Sequence, residues 1–358
     1  MKLPLVCLSI VFLVLAACAP APMATQPAAT GATPSEPTVL TMMSHDSFSV
    51  SEEVISEFET ANNLRVEFLP SGDAGSALNQ AILSKNNPLA DVFFGVDSTF
   101  MSRALEAGIF EPYASPKLAD VPDELELDPQ DRLLPVDYGD VCLNYDKAWF
   151  SEQGIDPPAD LNALTDSTYK GLTVVENPAT SSPGLAFLLA TVGHFGEEGY
   201  LDYWQALRDN EVLVVDGWEE AYWGQFSAAS DGDRPIVVSY ASSPPAEVYF
   251  AEEPPDEAPT DVVLADGACF RQIEFIGILK GTEQRESAEK LIDFMLSKRF
   301  QEDIPLQMFV FPANQTAALP DVFVEHAEIP DKPALVSPED IGTNREAWIE
   351  AWTETVLR

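Results

Sequence analysis

Positive charge is what this sequence most lacks: 19 lysines and arginines stand against 59 aspartates and glutamates in 358 residues, a formal net charge of −40. A field of that sign disfavours nucleic acid and anionic membrane as main partners and favours cationic or neutral ligands. It serves solubility or salt adaptation equally well. Histidine is scarce, with His45, His194 and His326 in unrelated segments. There is no H-E-x-x-H, no cysteine pair at zinc spacing and no phosphate-loop lysine, so no metal site or cofactor is expected. Nor does any apolar run reach the roughly 20 residues that span a bilayer.

The longest such run, Leu3 to Ala17, follows an early cation at Lys2 and reads as a secretion signal over residues 1–17. It ends in Leu15-Ala16-Ala17-Cys18, which resembles a bacterial lipoprotein signal with Cys18 as the lipidated first residue; the alternative is an ordinary signal cleaved after Ala17 or further on. Residues 18–37, rich in Pro, Ala and Thr and almost uncharged, suit a tether to the membrane. With Cys7 in the signal and Cys18 carrying lipid, Cys142 and Cys269 remain, in an exported and oxidising setting. Each lies in a strand-like run, GDVCLNY and GACFRQIEF. A disulfide requires those strands to be neighbours; two buried free thiols are the other reading.

From Thr38 onwards strand and helix signals alternate. TVLTMM and LRVEFL read as strands, and Val54, Ile55, Phe58 and Ala61 fall on one helical face behind Ser51 as N-cap. ADVFFGVD is a continuous apolar run of the kind buried on both faces of a parallel sheet. The pattern predicts an α/β chain of two lobes, each a mixed, mostly parallel sheet flanked by helices. The first lobe takes residues 38–137 and the second 138–267. Residues 268–358, a long return strand from Ala268 to Lys280 and C-terminal helices, belong mainly to the first. Leu291, Ile292, Met295 and Leu296, and then Trp348, Ile349, Trp352 and Val356, mark the buried faces of those helices. An exported two-lobed α/β chain crossed twice near its hinge has the layout of a solute-binding protein, with its ligand between the lobes.

Five stretches could line that cleft. In PATSSPGLAF, Ser182 before Pro183 suits an N-cap followed by proline, leaving Thr180 and Ser181 as surplus hydroxyls at a helix amino end. SGDAGSALNQ repeats the theme in the first lobe: a helix starts near Ser76, and Asp73 either caps it or faces a cationic group. DGWEEAYW sets Trp218 at a strand end with Tyr222 one turn on, a flat face for an aromatic or cationic ring. SYASSPPAE offers the Tyr240 ring and the Ser242 and Ser243 hydroxyls. HDSF, with His45 and Asp46, is the remaining wall.

Taken in order, HDSF, GDAGSALN, ADVFFGVD, VDYGDVCLNYDK, NPATSSPGL, DGWEEAY, SYASSP and IPLQMFVFPAN resemble the thiamine-binding proteins of bacterial ABC importers, within the type II periplasmic binding proteins. The resemblance implies that Asp73 with Ala74, Ser181 with Ser182, Trp218, and Tyr240, Ala241, Ser242 and Ser243 line the cleft. It implies an extracytoplasmic, monomeric, non-enzymatic receptor that delivers thiamine, a thiamine phosphate or a precursor to a membrane permease. His45 stands where that family has a tyrosine, a tryptophan expected shortly afterwards is absent from SVSEEV, and Ala246 replaces a tyrosine after the S-P step. The rival class is an enzyme like thiaminase I, of the same fold, with Cys142 as nucleophile. A third reading is a receptor for another solute, such as a polyamine or ferric ion, although the tyrosines here are scattered.

Overall fold

The computed structural model describes residues 36–358; the signal, Cys18 and nearly all of the tether lie outside them. The strands are β1 (Thr38–Ser44), β2 (Leu64–Pro70), β3 (Val92–Asp97), β4 (Phe110–Glu111), β5 (Leu134–Asp146), β6 (Thr173–Glu176), β7 (Leu213–Val215), β8 (Ile236–Tyr240), β9 (Thr260–Val263), β10 (Phe270–Leu279) and β11 (Phe311–Pro312). They join in the order β2-β1-β3-β10-β5-β8-β6-β7, with β4 on β10 and with β9 and β11 on β5. β1 runs parallel to β2 and β3, and β6 runs parallel to β7 and β8. Between these two parallel sets lie β5 and β10, antiparallel to each other and to their outer neighbours. Two long strands thus connect two parallel halves, the two-lobed arrangement that the alternating pattern predicts.

Every residue of β3 is buried, as its apolar run requires. Val92 and Phe94 face one set of helices and Phe93 the other, because successive side chains leave a strand on opposite faces. Val96 joins Phe93 because the pairing with β10 skips Gly95, an irregularity that shifts the alternation by one. On the first face the Arg285–Met295 helix supplies Leu291, Ile292 and Met295, and the Glu52–Asn62 helix supplies Val54 and Phe58. Ala61, placed on that face by spacing, is exposed at the end of its helix. The C-terminal Pro338–Val356 helix buries Trp348 and Trp352 as expected and sets Trp352 edge-on to Trp204, ring centroids 5.5 Å apart. Among the described residues no helix is long and apolar enough to cross a membrane.

Cap geometry moves two helix starts. The Ala74–Leu83 helix begins two residues before Ser76, and Asp73 is its cap, one of the two roles open to it in the sequence, accepting the Ala74 N–H at 2.7 Å. The long helical segment Ser182–Asp209, broken by a kink at Gly196, is capped by Ser181, whose hydroxyl accepts from Gly184, so Ser182 is the first helical residue and its side chain is spared. Cys142 on β5 and Cys269 at the start of β10 form a disulfide, their Cα atoms 4.4 Å apart. The register explains the approach: Val141 pairs with Phe270, which brings the neighbouring cysteines together. Both are fully enclosed beside Ala241 and Val262.

Candidate functional site

The parallel strands of both halves end around one cavity of about 300 Å³, at the lower edge of the sizes typical for small-molecule sites. His45 and Asp46 follow β1, Asp73 follows β2, Ser182 follows β6, Trp218 follows β7, Tyr240 closes β8 and Glu274 comes from the middle of β10. Strand carboxyl ends and helix amino ends meeting at a crevice are the usual location for a ligand in an open α/β sheet.

Asp73 is the junction. Beyond its own cap it accepts the Ser182 N–H at 3.1 Å and the Trp218 N–H at 2.9 Å, so one carboxylate gathers three helix amino ends. Each end carries a partial positive charge that suits an anion. Burial raises the Asp73 pKa, and the Trp218, Ser182 and Ala74 amides only partly offset it. The two turns also touch through backbone. Ser76 donates to the Thr180 carbonyl at 3.2 Å, and a Cβ on Gly75 would come within 2.7 Å of that same oxygen, which is why the approach uses glycine.

The aromatic wall is built from Trp218, stacked on Tyr222 at 4.9 Å and 22°, with the Trp223 ring at right angles to Trp218. The indole N–H donates to the Ser239 hydroxyl at 2.9 Å, and Ser239 in turn shares a hydrogen bond with Ser243. The Tyr222 hydroxyl is hydrogen-bonded to Glu247, whose pKa burial pushes up to about 7. Both aromatic rings are therefore held by polar groups behind them. Tyr240 is half-buried at the cavity wall, and burial together with Glu274, Asp73, Asp97 and Asp137 holds its phenol well above the usual tyrosine range.

Opposite lie His45 and Glu274, with Nε2 and Oε1 3.3 Å apart. Burial alone would depress the imidazole, but Glu274, reinforced by Asp73 and Asp46, raises it. Burial would conversely raise Glu274, and His45 outweighs it and lowers the carboxyl. The His45 ring fits because residue 95 is glycine. Gly95 has φ of +99°, and a Cβ there would lie 2.4 Å from the imidazole.

The structure brings His45, Asp46, Asp73, Ser182, Trp218, Tyr222, Tyr240 and Ser243 to the cavity wall. Ala74, Ser181, Ala241 and Ser242 do not reach it. Ala74 and Ala241 are packed away, the Ser181 hydroxyl is turned into its helix, and Ser242 donates to the Phe309 carbonyl at 2.8 Å. The Ser182 hydroxyl, freed by the cap shift, donates to Asp97 at 2.6 Å and accepts from Gln272 at 2.7 Å. Glu274, Met308 and Phe309 line the cavity without having been singled out in the sequence. Phe309 has a φ of 53°, an unusual value for a bulky residue and a mark of local constraint beside a site. Cys142 is bonded to Cys269 and lies outside the cavity, so it presents no free thiol there. Among the described residues no group of three or more His, Cys, Asp or Glu is placed to hold a metal ion.

The sequence model of a family described as bacterial extracellular solute-binding protein matches residues 87–330. A thiamine-binding periplasmic protein of Brucella suis is 30% identical over 326 residues, covering 89% of this chain and 92% of that protein. One from Escherichia coli is also 30% identical over 326 residues, covering 89% and 94%. Among solved structures, a periplasmic thiamin binding protein superposes with a TM-score of 0.78 at 28% identity, covering 90% of this chain and 97% of that one.

Proposed function

The chain belongs to the bacterial extracellular solute-binding proteins, and from that premise we propose that it captures thiamine outside the cytoplasmic membrane and delivers it, as a monomer, to an ABC permease. The observation that carries this reading is the charge and surface of the cavity. Four carboxylates line it, from Asp46, Asp73, Glu219 and Glu274, with no lysine or arginine, and His45 is the one imidazole. The Trp218 and Tyr222 stack lines the same cavity. A flat, permanently positive ring satisfies both kinds of group, through cation–π attraction to the rings and Coulombic attraction to the carboxylates.

The helix amino end at Ser182 favours the unphosphorylated vitamin over a phosphate. Ser182 N–H is held by Asp73, Pro183 has none, Gly184 N–H goes to Ser181 and Leu185 N–H to the Ser181 carbonyl. An anionic arm would find no vacant donor there and a carboxylate in its place. The pyrimidine precursor lacks the fixed charge that the acidic wall suits.

Delivery requires opening, and we place the moving bodies at residues 38–137 with most of 268–358 on one side and 138–267 on the other. Their hinge lies in β5 and β10, the strands that cross between the parallel sets. Lipidation at Cys18 would hold the chain at the membrane; mass spectrometry of the membrane fraction, against a Cys18→Ala variant released to the medium, tests it. Titration with thiamine, its phosphates and its uncharged pyrimidine half, followed by tryptophan fluorescence, tests the ligand. Thiamine should bind tightest, and equal or tighter binding of the phosphates would overturn that order.

A further inference from the structure

The cavity floor holds an arrangement that nothing in the aromatic wall requires. Glu274 on β10 is in register with Asp97 on β3 to one side and with Asp137 on β5 to the other. Three carboxyls therefore lie in one row across three adjacent strands, with neighbouring Cα atoms about 5 Å apart as in any antiparallel pair. Like charges directly opposite each other destabilise a sheet. Two of these groups, Asp97 and Asp137, are fully buried, and the carboxyl of Asp137 has no hydrogen-bond partner outside the row. Only Glu274 reaches the cavity.

We propose that Glu274 is the residue that reads the positive charge of the guest, and that seating a cation against this row expels about one proton from it and from His45. The inference rests on the reading of the guest as thiamine and deepens it. Two unit negative charges 5 Å apart at an effective dielectric near 20 repel by about 3 kcal/mol, so the row cannot be fully ionised in the empty protein and retains protons. The surroundings relieve Glu274 and, in part, Asp97, but not Asp137. From β1 comes His45, ion-paired to Glu274, with Asp46 just beyond; Asp73 closes the second side, and Tyr240 from β8 the third. From the long helix Ser182 gives a hydroxyl to Asp97, as does Thr99, and on β10 itself Gln272 bonds that same Ser182 hydroxyl.

Burial and the neighbouring Glu274 hold Asp137 far above the carboxylate range, and burial pushes Asp97 up to about 7 despite its two hydroxyl donors. A fixed positive charge arriving beside Glu274 stabilises every ionised carboxyl in the row and repels the proton on His45. Each proton lost passes to the buffer, leaving one further negative charge, or a neutral imidazole, beside the cation. Affinity for the cation then rises with pH by as much as tenfold per unit for each proton released.

The test is calorimetry of thiamine binding to the full mature chain in phosphate and in Tris, whose ionisation enthalpies differ. The uncharged pyrimidine half serves as the control ligand. Release of about one proton with thiamine and near none with the pyrimidine is expected. Glu274→Gln should weaken thiamine about 30-fold or more, as for removal of one partner of a buried charge pair, while changing the pyrimidine little. Asp137→Asn, which leaves the cavity wall intact, should reduce the proton release with thiamine still bound, and unfolding curves of both variants report that they are folded. Tight thiamine binding with no buffer dependence, or with Glu274→Gln equal to the parent, would overturn the inference and leave the thiamine reading standing. Absence of thiamine binding by the parent chain would overturn both.

Discussion

Asp73 and Trp218 are 145 residues apart in sequence and joined directly: the Asp73 carboxylate accepts the Trp218 backbone N–H at 2.9 Å while its other oxygen caps the Ala74–Leu83 helix and accepts Ser182. The tryptophan that forms the aromatic wall is thereby fixed to the parallel set opposite its own. In the hinge motion proposed above, this carboxylate, which ties helix ends from both parallel sets, is the latch that holds the halves shut.

Asp73→Ala should therefore weaken ligand binding without unfolding either half. Charge-assisted hydrogen bonds of this kind contribute about 1.5–3 kcal/mol each, so an affinity loss on the order of 10- to 100-fold is expected. Scattering profiles of the variant should stay extended at ligand concentrations that compact the parent. Unchanged affinity would show that the latch has no part in closure.

Replacement of Trp218 by alanine should reduce affinity by about 2- to 30-fold, the range of a cation–π contact worth 0.5–2 kcal/mol. Trp218→Phe keeps a ring but loses the indole N–H to Ser239 at 2.9 Å. It should fall between the parent and alanine. In the parent, saturation with thiamine should quench tryptophan emission, and Trp218→Ala should remove most of that change.

Reduction of Cys142–Cys269 should lower stability by about 2–5 kcal/mol, since the bridge closes a long loop in the unfolded chain; the two cysteines are 127 residues apart. A lower Tm in reductant, and alkylation of both cysteines only after unfolding and reduction, are the expected results. Thiamine breakdown by the purified protein would instead revive Cys142 as a nucleophile.

Asp97 gives a stability profile of definite sign. Its carboxyl is raised from an ordinary 3.8 to about 7 by burial, so between those values the folded state binds more protons than the unfolded chain. Stability must then fall as pH rises through that window. His45, also raised, contributes stability at low pH that is lost in the same direction. The Tm of the empty protein should drop by a few degrees between pH 5 and pH 8, and Asp97→Asn should flatten the slope. A Tm that climbs over this range would contradict the assignment.

What the sequence made legible was local. The buried β3 and the faces of the helices follow from short-range spacing and side-chain chemistry, and the order of short motifs placed them in one family. What it hid depends on register. Glu274 reads as one more polar residue in FRQIEFIGIL until pairing sets it between Asp97 and Asp137. The same pairing turned two open cysteine readings into a bridge. A one-residue shift of the cap from Ser182 to Ser181 reversed which hydroxyl faces the cleft, because hydroxyls in a T-S-S-P run are interchangeable as caps. Phe309 owes its place to a left-handed backbone angle that no pattern of residue types announces.

The most direct measurement is isothermal titration of thiamine into the purified mature chain. A single saturable site is expected, with a dissociation constant in the micromolar range or below, weakened on Trp218→Ala and on Glu274→Gln. No heat of binding at protein concentrations of tens of micromolar, or binding indifferent to both substitutions, would contradict the claim that this cavity closes on a flat cation.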